Sequence, residues 1–459
     1  MRVGIAWECP WVPSSYGKLS LWLAVELQRL GFHVRVYCPS NPELTLYSKC
    51  TQHAPRCDHR ELGVCVEPPE PIEVCNTRYL CSDSDVDVYV LCGSPYGQVE
   101  SQWVSECSKT SHPVAGYFVT ESDILPSLLA QWALHVDAVG FTTNAVANAF
   151  VIHEPVRELH GDYVVVPHGL PDYYFSLTAD RVLDYASKLV TETPGMKLLL
   201  ESLREGVVYG MVAKDHPRKD FAALLSAFAK LKHSCRDLPV CDKIRLFLGT
   251  IKAVGAPTWI IDTLRDQLGL SKDDVVVLDE SQQVSGVTEL GLLHSYSLIS
   301  VFVFPTMGEG FGLPPLEAGA LFRPVILTRT PVTEEVWGDY PLLVKSRPFL
   351  DPTGFILHAT DYEDLARKMD KLLAERNRRR YGRLARRVAE KYTSSLMAKS
   401  FTRLVELAEE KRGTKKPHPL PEYKHAPTPE YRELVLRALG YTLYINPYRR
   451  RAMGGGASG

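Results

Sequence analysis

The chain has 459 residues, of which 45% are apolar and 23% charged, and its formal net charge is −2. This length predicts two domains rather than one core, and the near-neutral charge gives no support for general nucleic-acid binding. The apolar runs fall far short of a membrane span and the N-terminus lacks a signal-peptide pattern, so we predict a cytoplasmic protein.

The first residues predict a strand, a loop and a helix. Residues 2–7 are a short apolar run, and residues 10–17 are rich in Pro, Ser and Gly. Leucines then recur at helical spacing from Leu19 to Leu30, and Gly31 ends the helix. A second strand at 34–38 completes a βαβ unit, whose first loop is where a doubly wound sheet binds its ligand.

Further apolar runs form two successive sets of predicted strands. The segments 41–85 and 176–204 lack a clear period and are predicted to be irregular, the first of them as a hairpin-like insertion. The predicted strands are 86–91, 114–119, 138–142 and 163–166 in the first set, and 207–212, 244–248, 275–278, 301–304 and 323–327 in the second. Strands that alternate with helices in this way predict two doubly wound α/β domains.

The C-terminal part of the chain carries three helix signals. Thr360 and Glu363 have the spacing of a capping box ahead of an apolar helix face. An arginine-rich helix is predicted at 376–391, and another begins at Thr428 with a proline at its first position. The last residues, GGGASG, are predicted to be disordered.

Cysteines are concentrated in the first quarter of the chain. Nine of the eleven lie between Cys9 and Cys107, without the close pair of a zinc site. Small core residues or a few disulfides fit this distribution best. Because His53 and His59 stand near Cys50, a metal site stays open as a lesser alternative.

The most informative stretch is Phe304–Ala318, FPTMGEGFGLPPLEA. Glu309 and Glu317, with seven residues between them, bracket a glycine-rich turn that leads into a helix. Gly310 and Gly312 allow a ligand to approach the main chain, and a helix N-terminus favours an anion such as a diphosphate. Carboxylates on both sides of an anion site can hold hydroxyl-rich groups, and this combination describes a sugar nucleotide.

This pattern, together with the apolar strand 323–327, resembles glycosyltransferase family 4. The resemblance implies a retaining enzyme of the GT-B fold, an α/β protein in which two doubly wound Rossmann-like domains face a central cleft. It also implies that Glu309 contacts donor sugar hydroxyls near the reacting carbon and that Glu317 accepts hydrogen bonds from the ribose. The backbone expected to line the sugar and diphosphate is that of Gly310, Phe311, Gly312 and Leu313.

A basic loop, VAKDHPRKD at 212–220, lies between a predicted strand and an amphipathic helix. The family has an arginine here and, five residues later, a lysine, both on the donor phosphates. Lys219 matches that lysine, whereas Lys214 stands where the arginine is expected. Lysine keeps the charge but loses the bidentate fork, which implies a weaker phosphate grip or one shared with Arg218.

The first half of the chain supplies the other candidates. The motif VVVPHGL resembles the family's hinge and implies that His168 lies at the cleft, with simple hinge packing as the alternative. In YFVTESDIL, Glu121 is the best match to the acidic residue near the reacting sugar, followed by Asp123, and a solvated strand end is the alternative. Gly17 stands alone where the family often has paired glycines close to the donor phosphate.

The resemblance implies three regions. Residues 1–200 would form the acceptor-side domain with its insertion at about 41–85, and residues 201–395 the nucleotide-sugar domain. Residues 396–459 would form a helical tail that crosses back to the first domain. The expected partners are the donor and a glycan, lipid-linked or protein acceptor, with no nucleic acid.

The expected reaction is hexosyl transfer to an acceptor hydroxyl with retention. A double displacement needs two carboxyl groups about 5–5.5 Å apart at the anomeric carbon. The two glutamates do not fit that arrangement, since Glu317 is expected at the ribose. The family's favoured front-face substitution, in which the leaving phosphate takes the acceptor proton, requires neither a metal nor another cofactor. The sequence DSD at 83–85 is a literal metal-type motif, but it falls in the irregular segment and is predicted to lie on the surface.

Two alternative functions and one separate hypothesis remain at the level of the sequence. The chain could be another GT-B enzyme, such as a phosphorylase or a nucleotide-sugar epimerase. It could also be a sugar-nucleotide binding protein without catalysis. Arginines near 378–380 could dock an anionic membrane surface or a lipid-linked acceptor, although a solvated helix face is the simpler interpretation.

Overall fold

The computed structural model describes residues 1–12, 14–39, 49–55, 59–189, 193–214, 216–251, 259–277, 288–352 and 354–417. Several predictions concern residues outside these ranges. They are the helix at Thr428, the glycine-rich end of the chain, the strand end Leu278 and parts of the insertion at 40–48 and 56–58.

Strands and helices alternate in two successive sets. The strands are β1 (Arg2–Ala6), β2 (His33–Cys38), β3 (Cys50–His53), β4 (Ile72–Asn76), β5 (Val88–Gly93), β6 (Val114–Phe118), β7 (Ala138–Phe141), β8 (Val164–Val165), β9 (Val207–Lys214), β10 (Ile244–Ile251), β11 (Val275–Val277), β12 (Val301–Phe304), β13 (Val325–Thr328), β14 (Leu343–Val344), β15 (Ser346–Leu350) and β16 (Ile356–Thr360). The helices are α1 (Ser15–Arg29), α2 (Glu100–Cys107), α3 (Ser127–Ala130), α4 (Asn144–Val151), α5 (Glu154–His160), α6 (Tyr173–Ser176), α7 (Ala179–Ala186), α8 (Pro194–Glu205), α9 (Phe221–Ser234), α10 (Trp259–Gln267), α11 (Glu289–Ser297), α12 (Leu313–Ala320), α13 (Pro331–Trp337), α14 (Tyr362–Lys371), α15 (Glu375–Ala389) and α16 (Ser394–Glu410).

Two doubly wound sheets organise these elements, which confirms the predicted fold class. The first has the strand order β3-β4-β2-β1-β5-β6-β7-β8, parallel except for the β3–β4 pair. The second has the order β11-β10-β9-β12-β13-β14 and is parallel throughout. The order reverses between β1 and β5 and again between β9 and β12. Ligands of such sheets bind at these switch points, beyond the carboxyl ends of the strands.

Two segments predicted to be irregular contain regular structure. In the first, β4 pairs in parallel with β2 and extends the main sheet, while β3 adds an antiparallel edge. In the second, α7 and α8 begin at Thr178 and Thr193, whose hydroxyls accept bonds from backbone N–H groups of the first turn. The buried residues of α7, Ala179, Val182 and Ala186, recur at helical spacing, so the sequence does carry a helical period here that the prediction overlooked.

The helix α14 begins one residue later than the predicted capping box. Its N-cap is Asp361, whose carboxylate accepts bonds from the N–H groups of Glu363 and Asp364, each at 3.0 Å. Thr360 is instead the last residue of β16, and its hydroxyl donates to the carbonyl of Pro305 at 3.1 Å. Strand pairing takes precedence over the local cap signal there.

Cysteines form four disulfides within the described residues, and Cys92 is a buried free thiol. The pairs within the described residues are Cys9–Cys38, Cys50–Cys75, Cys81–Cys107 and Cys235–Cys241. Because Cys50 is bonded to Cys75, it is not available as a metal ligand beside His53 and His59. Across the described ranges, no three His, Cys, Asp or Glu side chains come together in a group that could hold a metal ion.

Asp83, in the metal-type motif, is buried rather than at the surface. Its carboxylate accepts hydrogen bonds from Arg35 Nη1 at 2.7 Å and from the Tyr37 hydroxyl at 3.0 Å. Lys49 Nζ lies 2.8 Å away. These partners come from strands or their flanks, so Asp83 ties the edge of the first sheet together, a contact that the local sequence does not indicate.

The two crossings of the chain between its halves run side by side. The Leu170 N–H donates to the Tyr392 carbonyl at 2.9 Å, and the Ser394 N–H donates to the Leu170 carbonyl at 2.8 Å. A Cβ atom on Gly169 would lie 2.0 Å from the carbonyl oxygen of Thr393, so only glycine allows this approach. The glycine of the predicted hinge motif therefore has a steric role.

After the second crossing, α16 packs against α1 and β7 of the first half. The segment that follows it is anchored by the buried carboxylate of Asp137, which accepts bonds from the N–H groups of Gly413 and Lys415. Lys415 Nζ also pairs with it at 2.8 Å. In the described part of the chain, no helix is both long and apolar enough to cross a membrane.

Candidate functional site

The basic loop follows β9 at the switch point of the second sheet. A short 3-10 turn, Pro217–Lys219, directs Arg218 and Lys219 toward the carboxyl end of β12. Asp220 then adopts a left-handed conformation, with φ of 51°, and caps α9 by accepting a bond from the Ala223 N–H at 3.1 Å. The Asp220 cap fixes where α9 starts, and it therefore also fixes the positions of Arg218 and Lys219, which directly precede it.

The glycine-rich turn joins β12 to α12. Gly312 has a φ of 91° and is the N-cap of α12, to which it offers no side chain. Pro314 and Pro315 have no N–H, and the N–H of Leu313 is left without a side-chain acceptor, whereas α1, α9 and α13 are capped by Ser14, Asp220 and Thr330. An uncapped helix N-terminus at the carboxyl edge of a sheet is a site for an anion.

Glu309 is the centre of a buried polar cluster in this turn. Its Oε1 accepts hydrogen bonds from Arg218 Nη1 at 2.7 Å and from the Thr306 hydroxyl at 2.7 Å, and also from Lys219 Nζ. Lys219 Nζ lies 4.6 Å above the ring centre of Phe304. Two cations from the β9 loop are therefore held by one carboxylate from the β12 loop.

Burial and the charges of neighbouring groups shift the pKa values of Glu309 and Lys219. Burial alone raises the pKa of the Glu309 carboxyl, but the charges of Lys219 and Arg218 outweigh it and lower the value to about 2. Burial lowers the pKa of the Lys219 ammonium to about 8, against the opposing attraction of Glu309. Glu309 is an anion at neutral pH, and Lys219 has a pKa close to physiological pH.

Glu121 faces this cluster from the first half of the chain. It lies beyond β6, and its carboxylate is 3.0 Å from Arg218 Nη2, so Arg218 bridges Glu121 and Glu309. The two halves are in direct contact here, because a Cβ atom on Gly308 would lie 2.2 Å from the Glu121 carbonyl oxygen. A small cavity of about 10 Å³, lined by Glu121, Glu309 and Thr330 among others, remains beside this contact.

Further polar contacts hold the two halves against each other. The Thr142 hydroxyl donates to the carbonyl of Gly310. His358 Nε2 lies 2.6 Å from the Asp123 carboxylate. The Glu335 carboxylate of α13 accepts bonds from the N–H groups at the start of α4, from Asn144 and Ala145, each at 2.8 Å. The structure thus has a closed interface over the glycine-rich turn.

Glu317 lies just over one turn into α12, in a second buried cluster. Its carboxylate accepts a bond from the Tyr296 hydroxyl at 2.5 Å and another from Lys18 Nζ. Lys18 belongs to α1 of the first half, and its ammonium is also 3.4 Å from the Glu289 carboxylate. Glu289 in turn accepts bonds from the hydroxyls of Tyr173 and Tyr174, at 2.7 and 2.6 Å.

The remaining predicted residues occupy different parts of the interface. His168 is buried, its ring centre lies 5.1 Å from that of Phe311, and burial lowers its pKa to about 3. Leu313 is buried at the first position of α12. A Cβ atom on Gly17 would lie 2.2 Å from the carbonyl oxygen of Val12, so Gly17 packs against its own loop.

Lys214, which stands where the family has arginine, ends β9 with an exposed side chain. No ion pair of Lys214 is seen among the residues that the structure describes. Arg218 takes the central position instead, between Glu121 and Glu309. The expectation that the phosphate grip is weaker or shared with Arg218 stays a prediction.

Sequence reasoning missed three residues that contact the two glutamates. Thr306, directly after β12, could have been suspected from its place at a strand end. Lys18 was noticed only as part of the first loop, because its partner lies 299 positions away. Tyr296 is 21 positions before Glu317 and carries no local signal of the contact.

Known proteins resemble this chain in the segment that carries the basic loop and the glycine-rich turn. Residues 202–388 match the family model for glycosyl transferases group 1. This group 1 segment contains β9, the basic loop, the glycine-rich turn, Glu309 and Glu317. It covers less than half of the chain, and the acceptor-side residues such as Glu121 lie outside it.

Individual characterised proteins are similar to this chain over about a third of its length. The capsular polysaccharide biosynthesis glycosyltransferase CapM of Staphylococcus aureus is 30% identical over 149 residues, 32% of this chain and 36% of CapM. The serotype-specific mannosyltransferase WbdA of Escherichia coli is 28% identical over 162 residues, 35% of this chain and 18% of WbdA. The matched segment thus spans about a third or less of each relative.

Solved structures show the fold over most of the chain. HepE from Anabaena, in a complex with UDP and glucose, aligns with 88% of this chain and 99% of its own at a TM-score of 0.61 and 12% identity. Sucrose-phosphate synthase from Thermosynechococcus elongatus aligns with 89% and 99% at a TM-score of 0.62 and 15% identity. The predicted GT-B fold is confirmed, with the group 1 segment as the core of its second half.

Proposed function

We propose that the protein transfers a hexosyl group from a nucleoside diphosphate sugar to an acceptor hydroxyl, with retention at the anomeric carbon. The observation that carries this proposal is the Glu309 carboxylate, held by Arg218 and Lys219 beside the uncapped N-terminus of α12. The match to glycosyl transferases group 1 supports the activity, and the UDP complex of HepE supports the donor class.

The donor fits the two buried clusters in one orientation. The ribose diol meets Glu317, the diphosphate lies over the backbone of the glycine-rich turn and the N–H of Leu313, and the sugar lies near Glu309. When the donor is bound, Arg218 and Lys219 donate some of their hydrogen bonds to the phosphate oxygens instead of to Glu309. Charge-assisted bonds to phosphate are strong enough to compensate for the contacts that are lost.

The chemical step is a front-face substitution. The bond between the anomeric carbon and the phosphate oxygen breaks, and its electron pair remains on the phosphate. The acceptor oxygen forms the new bond on the same face, and its proton passes to the leaving phosphate. Lys219, Arg218 and the α12 N-terminus stabilise the charge that develops there, while Glu309 positions the sugar and Glu121 faces the acceptor.

A donor of this size requires the interface to open. The cavity beside Glu309 has a volume of only about 10 Å³, which is roughly the space that one water molecule needs, so it is far too small for a sugar nucleotide. The contacts between Glu121 and Arg218 and between Lys18 and Glu317 join the two halves and must separate or rearrange. Opening between the halves is therefore part of the proposed cycle.

A donor panel tests the activity. We expect one of the UDP-, GDP- or ADP-sugars, with its free nucleotide, to raise the melting temperature by several degrees, since a ligand at a hundred times its Kd adds about 2.7 kcal/mol. The same donor should yield a glycosylated acceptor in a product screen by mass spectrometry. Stabilisation without transfer to any acceptor would favour the non-catalytic alternative, and no stabilisation by any nucleotide would contradict the donor site.

Stereochemistry and metal dependence are separate tests. In a reaction followed by proton NMR from its first minutes, the product should keep the anomeric configuration of the donor. Activity should survive exhaustive chelation, because the proposed step uses side-chain cations and helix N–H groups at the phosphate. Inversion would exclude the front-face route, and loss of activity on chelation that a divalent cation restores would contradict metal independence.

Donor binding should weaken as the pH rises above about 8, because Lys219 loses its proton there and with it its attraction for the diphosphate. The apparent Kd should increase by at most about tenfold for each pH unit. Lys219→Arg keeps its charge over this range and should flatten the profile. Isothermal titration of both proteins checks this, and equal slopes would show that another group is responsible.

A further inference from the structure

Helix α15 is far more basic than the rest of the chain. It contains seven arginines and one glutamate in 15 residues, whereas the whole chain has a formal net charge of −2. The role proposed for the cleft does not use this helix. Its charge is therefore concentrated on an element whose function is still unassigned.

The arginines of α15 form a continuous exposed face. Arg376, Arg380, Arg383 and Arg387 are spaced by four, three and four residues, which places them on one side of the helix, and all four are exposed. With a rise of 1.5 Å per residue, this row is about 16 Å long. The opposite side of the helix is buried through Tyr381, Ala385 and Val388.

Most of this charge is not neutralised by neighbouring carboxylates. Arg379 pairs with Glu375, the acidic residue of the helix itself. Over the part of the chain that the structure describes, no ion pair is found for Arg376, Arg383 or Arg387. Three unpaired guanidinium groups in a row are available to an anionic partner.

An exposed aromatic side chain lies against the same helix. Phe322, in the turn after α12, is 43% exposed and has a φ of 60°, a conformation that is unusual for a bulky residue. It is held beside α15, because a Cβ atom on Gly382 would lie 2.2 Å from its carbonyl oxygen. The guanidinium of Arg386 lies 4.8 Å from the ring centre on the inner side.

We propose that this arginine–phenylalanine face, formed by Arg376, Arg380, Arg383, Arg387 and Phe322, docks the protein on an anionic lipid bilayer. Guanidinium groups bind lipid phosphates, and an aromatic ring beside them enters the interfacial layer. A row on one straight helix fits a planar anionic surface. The low net charge of the chain and the exposed ring make a nucleic-acid duplex a poorer partner.

Vesicle co-sedimentation tests the proposal on the full chain. The parent should bind vesicles rich in phosphatidylglycerol, release them at high salt and ignore pure phosphatidylcholine. The variant Arg376→Glu/Arg383→Glu/Arg387→Glu should bind at least about a hundredfold more weakly. Phe322→Ser should lower binding several-fold and leave its salt dependence in place, because the ring contributes without charge.

A matched control separates this face from general charge effects. Lys109→Glu/Lys272→Glu/Lys399→Glu changes the net charge equally at exposed positions on other elements, and it should lower vesicle binding by only a few-fold. All variants should keep the parent's melting temperature and nucleotide affinity. An equal loss in the control, no binding by the parent, or tighter binding of the parent to duplex DNA than to vesicles would overturn the proposal.

Discussion

Replacing Glu309 by glutamine is expected to lower the rate of glycosyl transfer by about 10²- to 10³-fold while nucleotide affinity is unchanged or increases. Glutamine keeps the shape of the side chain but loses the charge that holds Arg218 and Lys219. The sugar then loses the group that positions it. The two cations are freed for the diphosphate, which is why binding should not suffer.

The same variant should be less stable without a ligand. Removing one partner of a buried ion pair costs about 3–5 kcal/mol, and Arg218 retains only Glu121. Since the folded-state pKa of Glu309 is depressed to about 2, its contribution is present above its ordinary value of 4.5 and is lost as the pH falls toward 2. Calorimetry of parent and variant across pH 2–7 should show that difference, which nucleotide should partly remove.

Glu335→Gln is the matched control for this experiment. Glu335 is also a carboxylate at the interface between the halves, but it contacts the N-terminus of α4 and not the cationic pair. It should change transfer only a few-fold. If Glu309→Gln transferred like the parent, or if its nucleotide affinity fell as much as its rate, the role of Glu309 at the sugar would be wrong.

Replacing Glu317 by alanine is expected to weaken nucleotide binding by about 10- to 100-fold, because a charged group contributes roughly 1.5–3 kcal/mol through its hydrogen bonds. In the structure, its carboxylate is occupied by Tyr296 and Lys18. The ribose diol must therefore replace the Lys18 contact when the nucleotide binds. Isothermal titration with the nucleotide found in the donor panel measures the loss.

A double-mutant cycle assigns that loss to the ribose. The parent should bind the 2′,3′-dideoxy nucleotide as weakly as Glu317→Ala binds the natural nucleotide. The variant should bind the dideoxy nucleotide only slightly more weakly than it binds the natural one. Glu289→Ala is the matched control, since Glu289 also pairs with Lys18 but is not assigned to the ribose. Additive losses in the cycle would contradict a direct contact between Glu317 and the diol.

Much of the fold could be read from local patterns. Buried parallel strands are short apolar runs, so β9 and β12 were predicted close to their observed bounds, and Gly31 ends α1 with a φ of 87° as its position suggests. Helix α7 was missed although Ala179, Val182 and Ala186 recur at helical spacing, because the helix is short and charged residues separate its apolar ones. The domain boundaries predicted at 200 and 395 stay predictions.

The sequence by itself determined which loops carry the candidate site residues. A glycine-rich turn before a helix and a basic turn after a strand are local patterns, and Glu309, Glu317 and Lys219 could be named from them. Parallel strands bring their carboxyl ends to one edge, so these loops had to meet. That meeting follows from the topology that the strand pattern already implies.

Only the tertiary structure decided how the side chains pair. Contacts between residues that are distant in sequence leave no local trace, since burial and charge are balanced across elements rather than within one. Hence three sets of contacts could not be foreseen. They are the ion pair of Lys18 with Glu317, the bridge of Arg218 between Glu121 and Glu309, and the bonds of Asp83 in the first sheet. The exposure of one face of α15 was likewise settled by packing, because its opposite face is what the second half buries.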